Sequence, residues 1–453
     1  MQPSSKENEL ATRPVGRLLL SLSLPAITAQ LVNVLYNMVD RIYIGHIPEV
    51  GAAALTGVGV TLPVIMLVSA FATLASMGGA PRASIMMGRG RKDEAELILG
   101  NCTAALVVVA LVLTAIITLF GRQALLLFGA SEATIGYAWD YLSIYAIGTL
   151  CVQVALGLNA FITAQGFSKI SMLTVLIGAV LNIALDPLLI FTFDMGVRGA
   201  ALATVLSQAV SALWVVRFLT GPRTLLRIRA ANLRLKPAVY LPCLALGLSP
   251  FIMQSTESVL FVCFNSSLLN YGGDMAVGAM TILTSVMQFS MLPLQGLTQG
   301  AQPITSFNYG AGHLSRVRKC FRLLLISAMA YSICVWLLAQ LAPGALASLF
   351  TSDEALISTA AHAMRIYMGL SCLFGVQLTC QQTFVSLGNA KTSVFLALLR
   401  KVVLLIPLIY ILPSFLPNKV DAVFLAEPIA DLIAVSVTAL LFWRHYRRHL
   451  RQG

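Results

Sequence analysis

The chain has 453 residues, 58% of them hydrophobic and 11% charged, with a net charge of +12. A soluble domain carries about 25% charged residues, so this sequence lacks the polar surface to meet water on all sides and must be wrapped in lipid. Its length fits two helical bundles better than one small domain.

The first dozen residues are polar, and the apolar run after them is too long for a signal-peptide core. From there, twelve stretches reach the roughly 20 apolar residues a helix needs to cross the hydrocarbon. They run over 18–44, 53–77, 97–120, 136–160, 170–193, 197–219, 240–270, 276–300, 320–342, 358–386, 393–416 and 420–443. Ten-residue alternating strands, the mark of a barrel, do not occur. The expectation is an all-α integral membrane fold of about twelve transmembrane helices.

Basic residues mark every second connection, as at Arg89, Arg91 and Lys92, at Lys169, at Arg223 to Lys236, at Arg316 to Arg322, at Lys391, and from Arg444 on. By the positive-inside rule both termini are cytoplasmic. The positive charge is then a topology signal with membrane lipid as its partner, not a nucleic-acid patch. A multi-pass membrane protein is expected.

The longest basic connection, 220–237, separates spans 6 and 7. It divides the chain into an amino-terminal six-helix lobe (1–219), a cytoplasmic linker (220–237) and a carboxy-terminal six-helix lobe (238–453). The lobes echo each other. Pro81 matches Pro303, Gly88 matches Gly310, Gly166 matches Gly388 and Lys169 matches Lys391, each pair 222 residues apart. An even number of spans gives both bundles the same orientation, as parallel repeats related by a pseudo-twofold axis along the membrane normal.

Ionisable groups inside a membrane are costly and point to function. Asp40 follows Tyr36 and Asn37 near the outer end of span 1. Asn182 and Asp186, four residues apart in span 5, share a helix face. Thr204 enters span 6 from the same side. At about 1.5 Å per residue all four lie in the outer half of the first lobe. Two close carboxylates with amide and hydroxyl oxygens suit a proton or Na⁺, because in low dielectric both acids cannot stay charged without a cation. Pro187, lacking an N–H, would free the carbonyl of Ile183 as a further ligand or mark a kink. The alternative is that neighbouring helices satisfy these acids structurally.

In the second lobe, Glu257 lies in span 7, and Glu427 and Asp431 share a face of span 12. Arg400 and Lys401 lie inside span 11. Asp431 is expected in an ion-pair network with these bases, whereas Glu257 and Glu427 divide between cavity lining and structure. Asp140 is expected at the interface. Met253 and Met287 mainly pack or face lipid, but such soft side chains also suit a loosely specified hydrophobic ligand. Gln377, Gln381 and Gln382 occupy span 10. The eight cysteines lack a CxxC pair and read as small buried hydrophobes rather than disulfides or metal ligands. No phosphate loop, HExxH or GxSxG is present. ATP-driven transport is therefore unsupported, and an enzyme is a remote alternative.

Several of these pieces carry a family resemblance. They are Asn37-Met38-Val39-Asp40-Arg41 with Gly45, Asn182…Asp186-Pro187, Gly196…Gly199-Ala200-Ala201…Ala203-Thr204, and the matched glycine loops after spans 2 and 8. Over nearly its whole length the chain resembles the multidrug and toxic compound extrusion (MATE) family, in the bacterial branch that includes MepA-like and DinF-like proteins. The resemblance implies two bundles around a V-shaped cavity and a secondary antiporter. Such a protein expels small amphipathic, often cationic, organic compounds in exchange for H⁺ or Na⁺, with no cofactor and no obligatory protein partner. It assigns the amino-lobe cation site to Asp40, Asn182, Asp186 and Thr204. It also makes Tyr36, Asn37, Glu257, Met253, Met287, Gln381 and Glu427 candidates for the cavity or substrate. Some Na⁺-coupled members pair a glutamate on helix 7 with an aspartate on helix 10. Glu257 resembles the first, but span 10 has no acid. The runner-up reading is a lipid-linked precursor flippase of related architecture, which would be expected to carry more bases in its central cavity.

Overall fold

A computed structural model describes residues 5–450. Its α-helices, in chain order, are α1 (Ser5–Thr12), α2 (Val15–Gly45), α3 (Gly51–Gly88), α4 (Lys92–Leu127), α5 (Ile135–Ala164), α6 (Ser168–Pro187) and α7 (Gly196–Thr220). There follow α8 (Pro237–Gly310), α9 (Leu314–Leu341), α10 (Pro343–Ala347), α11 (Glu354–Tyr367), α12 (Phe374–Ser386), α13 (Ala390–Leu398), α14 (Ile406–Phe415) and α15 (Lys419–His445). Among the described residues ten helices are long and apolar enough to cross a membrane, or eleven if one bent pair counts as a single span. The fold is that of an all-α, multi-spanning membrane protein.

The bent pair is where the sequence suggests one continuous span over 358–386. Glu354–Tyr367 and Ser371–Ser386 instead meet at 48°. Breaking a helix frees backbone carbonyls that must find donors. Here the Trp336 indole donates to the carbonyl of Gly369 at 2.7 Å.

α8 has 74 residues, and if straight it would run to about 110 Å at 1.5 Å per residue, far beyond a hydrocarbon core of about 30 Å. It breaks at Gly273, whose φ of 63° and ψ of −161° are open to glycine alone. Gly247 near its start packs on Leu74 of α3, and Gly310 at its end packs on Ile85 of the same helix, so the chain doubles back at Gly273.

In lipid, helices associate through close packing of small residues rather than by burying oily surface. The crossing of α3 and α8 follows that rule. A side chain at Gly88 would strike the carbonyl of Phe307, and one at Gly310 would strike the carbonyl of Ile85. These contacts lie at the basic ends of the helices, where two further clamps sit. Arg316 donates to the carbonyls of Leu10 and Arg13 at 3.1 and 2.7 Å, joining the start of the chain to the second lobe. The linker is fastened to the first lobe. Gln165 accepts from the Thr224 hydroxyl and the Leu225 and Leu226 amides at 2.8–2.9 Å. Buried Glu96 pairs with Arg229 at 2.7 Å.

Candidate cation-coupling site

Three helices of the first lobe deliver the four residues. Asp40 sits on the last turns of α2, Asn182 and Asp186 on α6, and Thr204 on α7. Asp40 is 8% exposed, Asn182 1% and Asp186 0%, while Thr204 is half-buried. The carboxyl groups of Asp40 and Asp186 lie within hydrogen-bonding reach of each other. The Asn182 amide donates to Asp186 Oδ1 and to Thr204 Oγ1, both at 3.4 Å. All four predicted residues therefore meet. Past Pro187 the helix widens into a π-helical turn, Leu188–Thr192, a local loosening common beside functional sites.

What the cluster lacks is as telling as what it holds. Asp40 Oδ1, Asp186 Oδ2 and Asn182 Oδ1 are buried with no hydrogen-bond partner. Among the described residues no salt bridge reaches either acid, and the charged or titratable groups acting on Asp40 are Asp186, Arg41, Tyr36 and Tyr141. Each orphaned oxygen costs about 1–3 kcal/mol. Two negative charges 4 Å apart add about 4 kcal/mol of repulsion at an effective dielectric of 20. Set against a folding stability of about 5–15 kcal/mol, those penalties are large, and a proton or small cation among the oxygens removes them. The donor set, hard oxygens from two carboxylates, an amide and a hydroxyl, fits that role.

The pattern reading missed Tyr141. Its phenol lies 3.5 Å from Thr204 Oγ1, and its ring stacks on Tyr145 at 6.4 Å. Tyr137, Tyr141 and Tyr145 recur every four residues, a polar-tipped aromatic ladder on one face of α5 that was legible.

The second lobe treats its acids differently. Arg400 Nε donates to Asp431 at 2.7 Å and its Nη2 to Glu427 at 3.1 Å, with both acids buried. The guanidinium also lies 5.6 Å from the Phe374 ring centroid. Lys401 Nζ donates to Glu257 at 2.6 Å, where the lysine is buried and the glutamate 58% exposed. Arg400 and Lys401 stand on a π-helical turn, Leu399–Leu405. Asp431 is in the expected network. Glu427 shares it.

Tyr36 lines a cavity inside the first lobe, and exposed Asn37 donates to the Asn33 carbonyl at 2.6 Å. Met253 and Met287 are half-buried. Gln381, proposed for the cavity, is buried, held by Gln377 at 3.2 Å and donating to Met253 Sδ at 3.1 Å. Asp140 pairs with Arg198 at 2.9 Å near the surface.

A multi-spanning helical protein that buries acids among its spans has the make-up of a membrane carrier. Comparison with known proteins gives the family. The MatE family model matches residues 25–188 and again 250–411, once in each half. The chain is 24% identical over 426 residues to the multidrug export protein MepA of Staphylococcus haemolyticus, covering 93% of both chains. It superposes on the MATE multidrug transporter DinF-BH, solved as a complex with a bound ligand, with TM-score 0.88 and 35% identity over 96% of this chain and 97% of that one. A MATE structure in complex with MaL6 shares the fold at TM-score 0.90 and 22% identity, covering 99% of this chain and all of the other. The chain therefore belongs to the MatE family, and it is a secondary active transporter, not an enzyme.

Proposed function

We propose that this protein is a multidrug efflux antiporter of the bacterial cytoplasmic membrane, with both termini inside. It exports small amphipathic organic cations in exchange for H⁺ or Na⁺ taken up at Asp40, Asn182, Asp186 and Thr204. Counting α8 as two spans and α11 with α12 as one gives twelve crossings, six to a lobe, and the repeated spacing of 222 residues supports a pseudo-twofold between them. The observation that carries the reading is the set of three orphaned oxygens around two buried carboxylates that, among the described residues, make no salt bridge. The relatives named for multidrug export and the ligand-bound DinF-BH multidrug transporter support the substrate class.

The basic ends are packed together, so in this cycle the opening toward the drug's exit is assigned to the other side, which the positive-inside rule places outside. An ion bound there neutralises the acids and lowers affinity for a cationic drug held nearby. Coupling needs no more than this difference in affinity between states. Asn37, Met253, Met287 and exposed Glu257 are candidates to meet the drug. The sign is fixed: protonation competes with the organic cation, so the ethidium dissociation constant rises as pH falls. Ethidium counterflow in proteoliposomes under separately imposed pH and Na⁺ gradients tests the proposal. Transport that ignores both gradients sinks it, and movement of a lipid-linked precursor instead would favour the flippase.

A further inference from the structure

Inside the first lobe, among α2, α5, α6 and α7, lies a cavity of about 40 Å³ whose polar lining is Asn33, Tyr36, Asn159, Thr174, Gln208 and Ser211. A water needs about 10–15 Å³ of such space and two or more polar partners, so the cavity has room for a few waters. Its position follows from the helix rise. Asn33 is 7 residues from Asp40 along α2, and Thr174 is 12 from Asp186 along α6. At 1.5 Å per residue these put its far lining roughly 10–18 Å from the acid pair, on the side of the basic connection at Lys169, while Tyr36, about one turn from Asp40, lines its near end.

Polar groups continue in both directions. Toward the acids, the Tyr36 phenol contacts Gln208 and feels the charge of Asp40, and the Ser207 hydroxyl and Asn182 Oδ1 are buried without partners. Toward the basic end, Asn159 donates to the Ser171 carbonyl at 3.3 Å and Thr163 donates to the Ser171 hydroxyl at 2.9 Å. Ser168, 2% exposed, has an unpartnered hydroxyl beside exposed Lys169. Asn159 Oδ1 is also unpartnered. Such a column inside a lipid-wrapped bundle is costly.

We propose that this column is the exit route for the coupling ion and that the ion is a proton. It runs from Asp40 and Asp186 through the cavity to the cytoplasmic surface at Lys169, apart from the path of the drug. Hydroxyls and a few waters pass a proton by exchanging hydrogen bonds, with the Asn159 amide orienting the waters between them. Sodium would have to carry its oxygen shell through a space only a few waters large. The proposal rests on the coupling role given to the acid pair.

The test uses the full chain in proteoliposomes, with ethidium transport driven by a pH gradient, beside ethidium affinity measured against pH in detergent. Asn159→Leu removes the polar relay. Gly178→Ala sets a methyl against the Ser211 hydroxyl, 2.7 Å from its oxygen, and shrinks the cavity. Both are expected to slow driven transport about ten-fold or more, since proton relays contribute about 10²–10⁴-fold where they limit a rate, while ethidium affinity and its pH dependence stay those of the wild type. Asn159→Ser, which puts a hydroxyl in place of the amide, is expected to transport near the wild-type rate. If Asn159→Leu loses ethidium binding through misfolding, Gly178→Ala decides, because alanine favours the helix and only a serine tip must turn. Wild-type rates in variants that bind ethidium normally overturn the proposal, as does wild-type transport driven by Na⁺ alone. Failure of the underlying coupling role looks different: Asp40→Asn would then keep the wild-type pH dependence of ethidium affinity.

Discussion

The two lobes bury acids in opposite ways. In the first, Asp40 and Asp186 touch each other and, among the described residues, neither makes a salt bridge, Arg41 acting on Asp40 only through its charge. In the second, Glu427 and Asp431 share Arg400, and Glu257 has Lys401. A buried ion pair is held together by its own partners and offers a mobile cation little. A bare acid pair is incomplete until something positive arrives. The proposed function thus assigns ion uptake to the half with the bare pair, while in the other half three acids share two bases within the protein.

Removing the bare acids would break the contrast most directly. Asp186→Asn or Asp40→Asn is expected to cut ion-driven ethidium efflux in proteoliposomes about 100-fold, the upper end of ordinary coupling free energies. The thermal midpoint should stay equal or rise, because a buried charge has been removed. Efflux that survives both substitutions would move the coupling site elsewhere, and the second lobe would be the place to look.

Arg400→Met probes the other side. It strands two buried carboxylates, and breaking a buried pair costs about 3–5 kcal/mol. The expected result is a marked fall in the thermal midpoint in detergent, with residual transport tracking the folded fraction. A stable variant with altered ion coupling would show that these charges take part in the cycle.

Tyr141→Phe sharpens the picture at the smallest scale. It removes one hydroxyl 3.5 Å from Thr204, worth about 0.5–1.5 kcal/mol. A shift of a few-fold in the pH dependence of ethidium affinity is expected, with folding unchanged.

Much of this was readable beforehand, and for identifiable reasons. Membrane spans declare themselves because lipid tolerates few charges, so the same scarcity isolates Asp40 and Asp186. Asn182 joins Asp186 through the helical repeat alone. Contacts between distant segments do not declare themselves. Nothing local says that Lys401 reaches Glu257, 144 residues away, or that Gln381 turns inward onto Met253. The break between α11 and α12 depends on Trp336 satisfying a carbonyl 33 residues on. The cavity lined by Asn159 and Ser211 arises only when four helices meet, and each of its residues alone resembles ordinary helix polarity.

The fastening of 220–237 bears on how the halves could be handled. Its backbone amides are already engaged by Gln165 and, at Lys236, by Asn101 at 2.6 Å. What joins the halves covalently is therefore the single step from Lys236 into α8 at Pro237, and the rest of the connection travels with the first half. A protease nick or a split gene at that point would leave each fragment its own helices and the glycine crossing to find one another, so two separately made pieces should reassemble in the membrane. A cut before Thr224 would strip the first piece of the strap that covers Gln165, Glu96 and Asn101, leaving those groups without the partners they were folded around.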